Sequence, residues 1–269
     1  MSIHARVLGI AQDAGVPHVG CSCARCNRQR SGPLRVACLG LLGASGRTYL
    51  IDATPDFNAQ TAALPAFPSG IALTHAHMGH YTGLMYLGRE GVSAARIPVY
   101  CTPAMWAFLR RNEPWKSLGR DGYVEYQKHE VGERFELEPG LELESVEVPH
   151  RNEHADTVAY LVHGPQNTLL YLPDIDRWEL DLPALLDRCD TALLDGSFFS
   201  KDELGSRSEE VPHPPIEETL ALLSREHACK VRFTHLNHSN PTLLAGSAEW
   251  NRVQSTGARI AQEGERLPL

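Results

Sequence analysis

Residues 74–83 read Thr-His-Ala-His-Met-Gly-His-Tyr-Thr-Gly and set His75, His77 and His80 within six positions. In an extended segment residues i and i+2 point the same way, so His75 and His77 can reach one ion together. Imidazole ligands at about 2.0–2.2 Å suit zinc, iron or manganese. A His-x-His is by itself an ordinary strand pattern. Here it follows the apolar run Ile-Ala-Leu-Thr and precedes His80 and Gly83, a context that favours a ligand pair. A second cluster lies in Gly-Cys-Ser-Cys-Ala-Arg-Cys, with Cys21, Cys23 and Cys26. In a reducing compartment such spacing reads as a metal site before a disulfide; the alternative is three reduced thiols in a loop. Cys38, Cys101, Cys189 and Cys229 are isolated and read as small buried apolar residues.

These side chains need a frame that brings them together. Six runs end the same way: Thr-Tyr-Leu-Ile stops at Asp52, Ile-Ala-Leu-Thr at His75, Val-Glu-Val-Pro at His150, Leu-Tyr-Leu-Pro at Asp174, Ala-Leu-Leu at Asp195 and Arg-Phe-Thr at His235. Polar groups just past strand ends gather at one sheet edge, where open α/β architectures place their sites. Ten β-type segments are legible, at 5–10, 37–43, 48–53, 70–75, 97–102, 142–150, 157–163, 168–174, 191–197 and 230–235. Helical patterns lie between them, at 55–64, 81–90, 102–112, 180–187 and 215–227; in the last, Pro215 suits a first turn and Ile216, Leu220 and Leu223 share a face. The expectation is one α/β domain over 1–269, with two strand-rich sheets and helices outside.

The chain has 269 residues, 42% hydrophobic and 22% charged, enough for a large core. A net charge of −8 argues against a general nucleic-acid binder. The N-terminal apolar run is too short for a signal peptide, and no stretch approaches ~18 apolar residues. A cytoplasmic protein without a membrane partner is expected.

Thr-His-Ala-His-Met-Gly-His resembles the H-x-H-x-D-H signature of the metallo-β-lactamase superfamily, and Asp52, His150, Asp174 and His235 stand in the order of its other motifs. The resemblance spans roughly residues 3 to 240 and implies a four-layer αββα sandwich with metals at the sheet edge. It implies His75, His77 and His150 on one metal, His80 and His235 on the other, Asp174 as the bridge, and a supporting role for Asp52. The cysteine loop narrows the likeness to the branch containing the carbon–phosphorus lyase phosphodiesterase and the pyrroloquinoline quinone biosynthesis protein B. There it implies a structural zinc on Cys21, Cys23, Cys26 and His238, within a loop at about 18–30. Other segments, among them Leu8–Cys21 and Leu193–Glu203, lean toward the quinone-biosynthesis member.

The pattern departs at Gly79, which replaces the motif's Asp. One carboxylate fewer weakens the second site, so one ion (zinc, manganese or iron) is favoured over two. His154 competes with His150 and Asp176 with Asp174, the first-named of each pair lying further from its strand. Asp195 is a histidine's partner or a strand-end cap; His213 is a pocket residue or a surface histidine; Asp56 and Gln60 line the mouth, or Asp56 caps a helix. His4, His18, His129, His163 and His227 are read as ordinary.

The chemistry expected is a metal-dependent hydrolase acting on a phosphodiester or related ester through activated water. Asp174, His80 and His213 carry its proton transfers. An iron-dependent oxygenase or redox enzyme on a small molecule or peptide is the alternative, and a non-catalytic, metal-stabilised binding protein a third reading. Loops 113–128 and 200–215 are expected to shape the pocket, and a homodimer through Trp106, Phe108 and Trp115 is compatible with the sequence.

Overall fold

In the computed structural model of the protein, residues 2–23, 25–27, 32–205 and 211–269 are described. Part of the cysteine loop (24 and 28–30) and part of the 200–215 loop (206–210) lie outside the described residues.

Among the described residues, fourteen strands form two seven-stranded sheets. In chain order the first six are β1 (His4–Gly9), β2 (Cys38–Leu42), β3 (Thr48–Ile51), β4 (Ile71–Ala72), β5 (Ile97–Cys101) and β6 (Val124–Lys128). The next eight are β7 (Arg134–Glu138), β8 (Leu141–Glu147), β9 (Val158–His163), β10 (Thr168–Leu172), β11 (Thr191–Asp195), β12 (Val231–Thr234), β13 (Arg259–Ile260) and β14 (Arg266–Pro268). The first sheet has the order β14-β1-β2-β3-β4-β5-β6 and the second β13-β12-β11-β10-β9-β8-β7.

The two faces of the first sheet serve different cores, as the period of two requires. Ala5, Val7, Leu39, Leu41, Tyr49 and Ile51 pack in one buried cluster with Leu143, Leu161, Leu170, Leu172 and Phe233 of the second sheet. The intervening Leu8, Cys38 and Leu50, with Ile71 and Leu73, join Phe57, Leu84, Met105 and Leu109 in another. Those partners come from helices and turns over the outer face, Phe57–Ala62, Thr82–Leu87 and Pro103–Arg111. The central strands β2, β3 and β4 are therefore covered on both sides, which explains why these runs read as nearly continuous apolar stretches.

Strand direction brings the polar ends together. β1 and β3 are both antiparallel to β2, and β4 is parallel to β3. β8 and β10 are both antiparallel to β9, and β11 and β12 run parallel to β10. The C-terminal ends of β1, β3 and β4, and those of β8, β10, β11 and β12, therefore lie at a common edge of their sheet. The two edges are tied together by Tyr160, which donates from Oη to the Leu73 carbonyl (2.9 Å), and by the Val158 amide, which donates to the Thr74 carbonyl (3.0 Å).

All ten expected strand segments contain strands; β6, β7, β13 and β14 were not anticipated. The single helix expected at 215–227 is two, Ile216–Ala221 and Arg225–Lys230, because Ser224 caps the second through His227 N. The expected loop 113–128 holds the helix Trp115–Arg120 and β6, and Ala248–Thr256 is a further helix. Cys38, Cys101 and Cys189 are buried as expected, but Cys229 is exposed. No helix among the described residues is long and apolar enough to cross a membrane.

Candidate metal centre

His75 and His77 follow β4, and a short helix, Met78–Tyr81, begins directly after them and turns His80 back inward. That turn is held by Asp52. This residue sits past β3 with a left-handed backbone (φ 72°), a conformation that costs a non-glycine residue energy and is retained where its surroundings fix it. Its carboxylate accepts from the Thr74 amide (2.9 Å) and Thr74 Oγ1 (2.9 Å) and binds His80 Nδ1 at 2.7 Å. Asp52 thus orients the whole segment without facing the cleft.

Five more side chains arrive from the other sheet and the N-terminal loop. His150 follows β8, and its Nε2 lies 3.1 Å from His77 Nδ1. Asp174 follows β10; its Oδ2 lies 3.0 Å from His80 Nε2, 3.2 Å from His235 Nε2 and 3.6 Å from His75 Nε2, while its Oδ1 is 3.8 Å from His150 Nε2. His235 follows β12 with a second left-handed non-glycine backbone (φ 56°). His213 is buried, with Nδ1 on Asp195 Oδ2 at 2.7 Å and 3.8 Å from Asp174 Oδ1. Asp13, in the loop after β1, places Oδ1 3.3 Å from His80 Nε2 and 3.7 Å from His235 Nε2.

Each imidazole is held from behind. His75 Nδ1 contacts Thr74 Oγ1 (3.0 Å), His150 Nδ1 contacts Asp176 Oδ1 (2.6 Å), His235 Nδ1 contacts Ser197 Oγ (3.1 Å) and His77 Nε2 contacts Glu153 Oε2 (3.2 Å). Such partners fix the tautomer and aim the other nitrogen's lone pair forward. The forward atoms then meet only one another. His75 Nε2, His80 Nε2, His235 Nε2, Asp174 Oδ2 and Asp13 Oδ1 are buried without any hydrogen-bond partner among the described residues. A buried polar group left unpaired costs about 1–3 kcal/mol, and five converging acceptors are the donor set a divalent cation satisfies. The ligand groups His75, His77 and His150, with His75, His80 and Asp174 beside them, could each hold an ion.

The electrostatics follow from this crowding. Burial and the charge of neighbouring His80 hold the His75 imidazole well below its ordinary pKa. At His80 burial acts in the same direction, but the charge of Asp52 and the nearby Asp13 and Asp174 carboxylates outweigh it and push the value well up. Burial works against ionising Asp174, yet the facing histidines, His235 foremost, hold its carboxyl well below the usual range. His213 is pushed up to about 9, because Asp195 overcomes the effect of burial.

The expected residues are largely brought together: His75, His77, His80, His150, Asp174, His213 and His235 share one edge. His154 lies outside it, stacked on Phe108 at 5.4 Å, and Asp176 stands behind His150 rather than in the cleft. Asp195 is the partner of His213. Asp56 and Gln60 do not line the mouth: Asp56 accepts from the Val36 amide (2.8 Å) and makes no side-chain helix cap, and Gln60 is buried between Thr54 and the Val36 carbonyl. Asp13 was missed; the signal that could have found it is weaker than at the other strands, an apolar strand ending at Gly9 with a carboxylate four positions on.

At the cysteine loop, His238 Nδ1 stands 3.6 Å from Cys21 Sγ, 3.8 Å from Cys23 Sγ and 3.6 Å from Cys26 Sγ. Zinc bonds of about 2.1 Å to nitrogen and 2.3 Å to sulfur in a tetrahedron give edges of about 3.6 Å, so these four atoms fit one ion.

Residues 47–236 match the beta-lactamase superfamily domain. Over 99% of its length and all of theirs, the chain is 26% identical to coenzyme PQQ synthesis protein B of Methylobacillus flagellatus and of Methylorubrum extorquens (strain PA1). Its structure resembles the crystal structure of Zn²⁺-bound PqqB from Methylobacterium extorquens, with a TM-score of 0.85 at 25% identity over 99% of this chain and 100% of that one. A diphosphatase of the PhnP family shares the fold, with a TM-score of 0.76 at 23% identity over 100% and 99% of the two chains. With two facing sheets and a domain match that runs from just before β3 to the residue after His235, the chain belongs to the beta-lactamase superfamily.

Proposed function

We propose that the protein is a metal-dependent hydrolase that cleaves a phosphodiester or a related ester. The observation that carries this reading is the convergence of buried, unpartnered imidazole and carboxylate atoms at the edge shared by both sheets. His75, His77, His150 and Asp174 would hold an ion; when bound, it supplies Lewis acidity, lowering the pKa of water and screening charge on the substrate oxygens. Asp174 directs one oxygen to each side of the cleft and is placed to orient the attacking water and accept its proton. His213 has Nδ1 engaged by Asp195, so its Nε2 is the nitrogen that would deliver a proton to a leaving group. Asp52, Asp176 and Ser197 keep the imidazoles from rotating, which spares the reaction the cost of assembling them.

The likeness to coenzyme PQQ synthesis protein B along essentially the whole chain supports a second reading, an iron-dependent oxygenase or redox enzyme, since imidazole and carboxylate ligands with open positions also suit iron(II). Purified protein loaded separately with zinc, manganese and iron(II) separates the two. Hydrolysis of bis(p-nitrophenyl) phosphate by the zinc or manganese form, lost in His75→Ala, supports the hydrolase. Oxygen uptake by the iron form alone overturns it. Absence of both activities in every loaded form, with the metals still bound, would leave a binding protein.

A further inference from the structure

The signature carboxylate is missing at Gly79, and the sequence alone therefore favours one ion at the edge. The structure shows what fills the vacated space. A Cβ built on Gly79 would lie 2.1 Å from Asp13 Oδ1 and 2.9 Å from Asp13 Cα and Cγ. Nothing larger than hydrogen fits at residue 79 while Asp13 keeps its place. The carboxylate has not been lost from this corner; it enters from a different loop.

We propose that Asp13 is the carboxylate ligand of a second metal site, formed with His80, His235 and Asp174 and made possible by Gly79. Asp13 Oδ1 and Asp174 Oδ2 both face the same two nitrogens, His80 Nε2 at 3.3 and 3.0 Å and His235 Nε2 at 3.7 and 3.2 Å. Ligand atoms at about 2.0–2.2 Å from a tetrahedral ion stand roughly 3.3–3.6 Å apart, so the spacing matches a shared cation. All four atoms are buried without a hydrogen-bond partner among the described residues, while the rear nitrogens of both imidazoles are engaged by Asp52 and Ser197. No other group among the described residues engages these lone pairs.

The loop that delivers Asp13 is built to hold it. The Ile10 and Ala11 amides donate to the Arg35 carbonyl, the Gln12 amide donates to the Leu236 carbonyl at 3.0 Å, and the Leu236 amide returns a bond to Ile10 at 2.7 Å. Asp13 is therefore pinned beside the residue that follows His235. Immediately after it Gly15 turns the chain with φ 67° and donates to the Gln12 carbonyl, the backbone conformation that glycine supplies without strain.

The inference rests on the edge site being a metal centre, and counting ions needs no substrate. Elemental analysis of protein saturated with zinc or manganese and passed through a desalting column is expected to give three ions per chain, one of them on the cysteine loop. Asp13→Asn, which keeps the shape of the side chain, is expected to give two, the third binding more weakly by at least the ~10–100-fold that loss of an outer partner costs. The double variant Asp13→Ala/Gly79→Asp returns the carboxylate to the position of the signature and is expected to recover the third ion, whereas Asp13→Ala/Gly79→Ala is not. Three ions in Asp13→Asn at unchanged affinity, or two in the parent protein with no change on substitution, would overturn the role of Asp13 alone. No ion beyond the cysteine loop would overturn the metal centre with it. Thermal melts of each variant keep misfolding separate from loss of a ligand.

Discussion

The two ligand clusters of this protein are built on opposite plans. The cysteine cluster takes three of its four ligands from six consecutive positions, lies partly exposed, and has its sulfurs within reach of backbone amides: Cys23 N to Cys21 Sγ at 3.4 Å, Cys26 N to Cys23 Sγ at 3.5 Å and His18 N to Cys26 Sγ at 3.3 Å. Four protein ligands close its tetrahedron and leave no position for a substrate. The edge cluster takes its ligands from six separate strand ends and loops, buries them, and backs nearly every imidazole with a carboxylate or hydroxyl. The first arrangement ties a loop down, with Arg25 bonding the carbonyls of His238 and Asn240 as a further anchor. The second spends the fold's whole architecture on aiming lone pairs into a cleft, which is the investment catalysis requires.

The largest test of this contrast is Asp174→Ala. It removes the one carboxylate that faces both groups of edge histidines, and hydrolysis should fall by more than the ~10²–10³-fold that a single lost electrostatic contact costs an enzyme. Elemental analysis should show the cysteine-loop ion retained. Next are the residues behind the ligands. Asp52→Asn and Asp176→Asn keep the size of each side chain but not its charge, and each should weaken metal binding at the edge about 10–100-fold, read by titration with a competing chelator. Cys26→Ser should do the reverse of Asp174→Ala. Its ion is lost and the melting temperature drops by roughly 5–10 °C, on the scale of 2–4 °C per kcal/mol for a chain of this size, while turnover per folded molecule barely changes. The smallest effect belongs to Glu153→Gln. That carboxylate touches His77 from the surface with its side chain 50% exposed, where such pairs contribute at most about 1 kcal/mol, so metal affinity should change less than about fivefold. An edge centre indifferent to Asp52 and Asp176 would erase the distinction between the clusters.

What the sequence made legible was periodic or local. Most of the ten strand segments were visible because both faces of the central strands are covered and their runs are nearly continuous apolar stretches; β8 was visible because it alternates buried and half-exposed residues. The cysteine spacing and the His-x-His pair were visible because neighbours in the chain are neighbours in space. The weak points share a cause as well. β7 carries Arg134, Glu136 and Glu138 among its five residues, β6 ends in Glu-Tyr-Gln-Lys, and β13 and β14 have two and three residues, so none announces a strand. The break before Ser224 was hidden because Leu223 keeps helical spacing with Ile216 and Leu220 although the first helix ends at Ala221. Asp13 escaped notice because its strand ends at Gly9 and three residues intervene before the carboxylate. Its relation to Gly79 spans 66 positions and is a matter of shape, a side chain occupying the volume another lacks. No single-sequence pattern encodes that.

The ligands' division between the sheets has a consequence for motion. His75 and His77 hang from the first sheet, and His150, Asp174 and His235 from the second, so an ion at the edge binds only when the two layers are closed on one another. By mass action it raises the free energy of every opening that parts them. Amide hydrogen exchange should then slow in β3 and β4 and in β10 to β12 by a common factor on metal addition, although these strands belong to different hydrogen-bonded networks, while β6 and β7, far from the ion in both sheet orders, exchange at nearly their former rates.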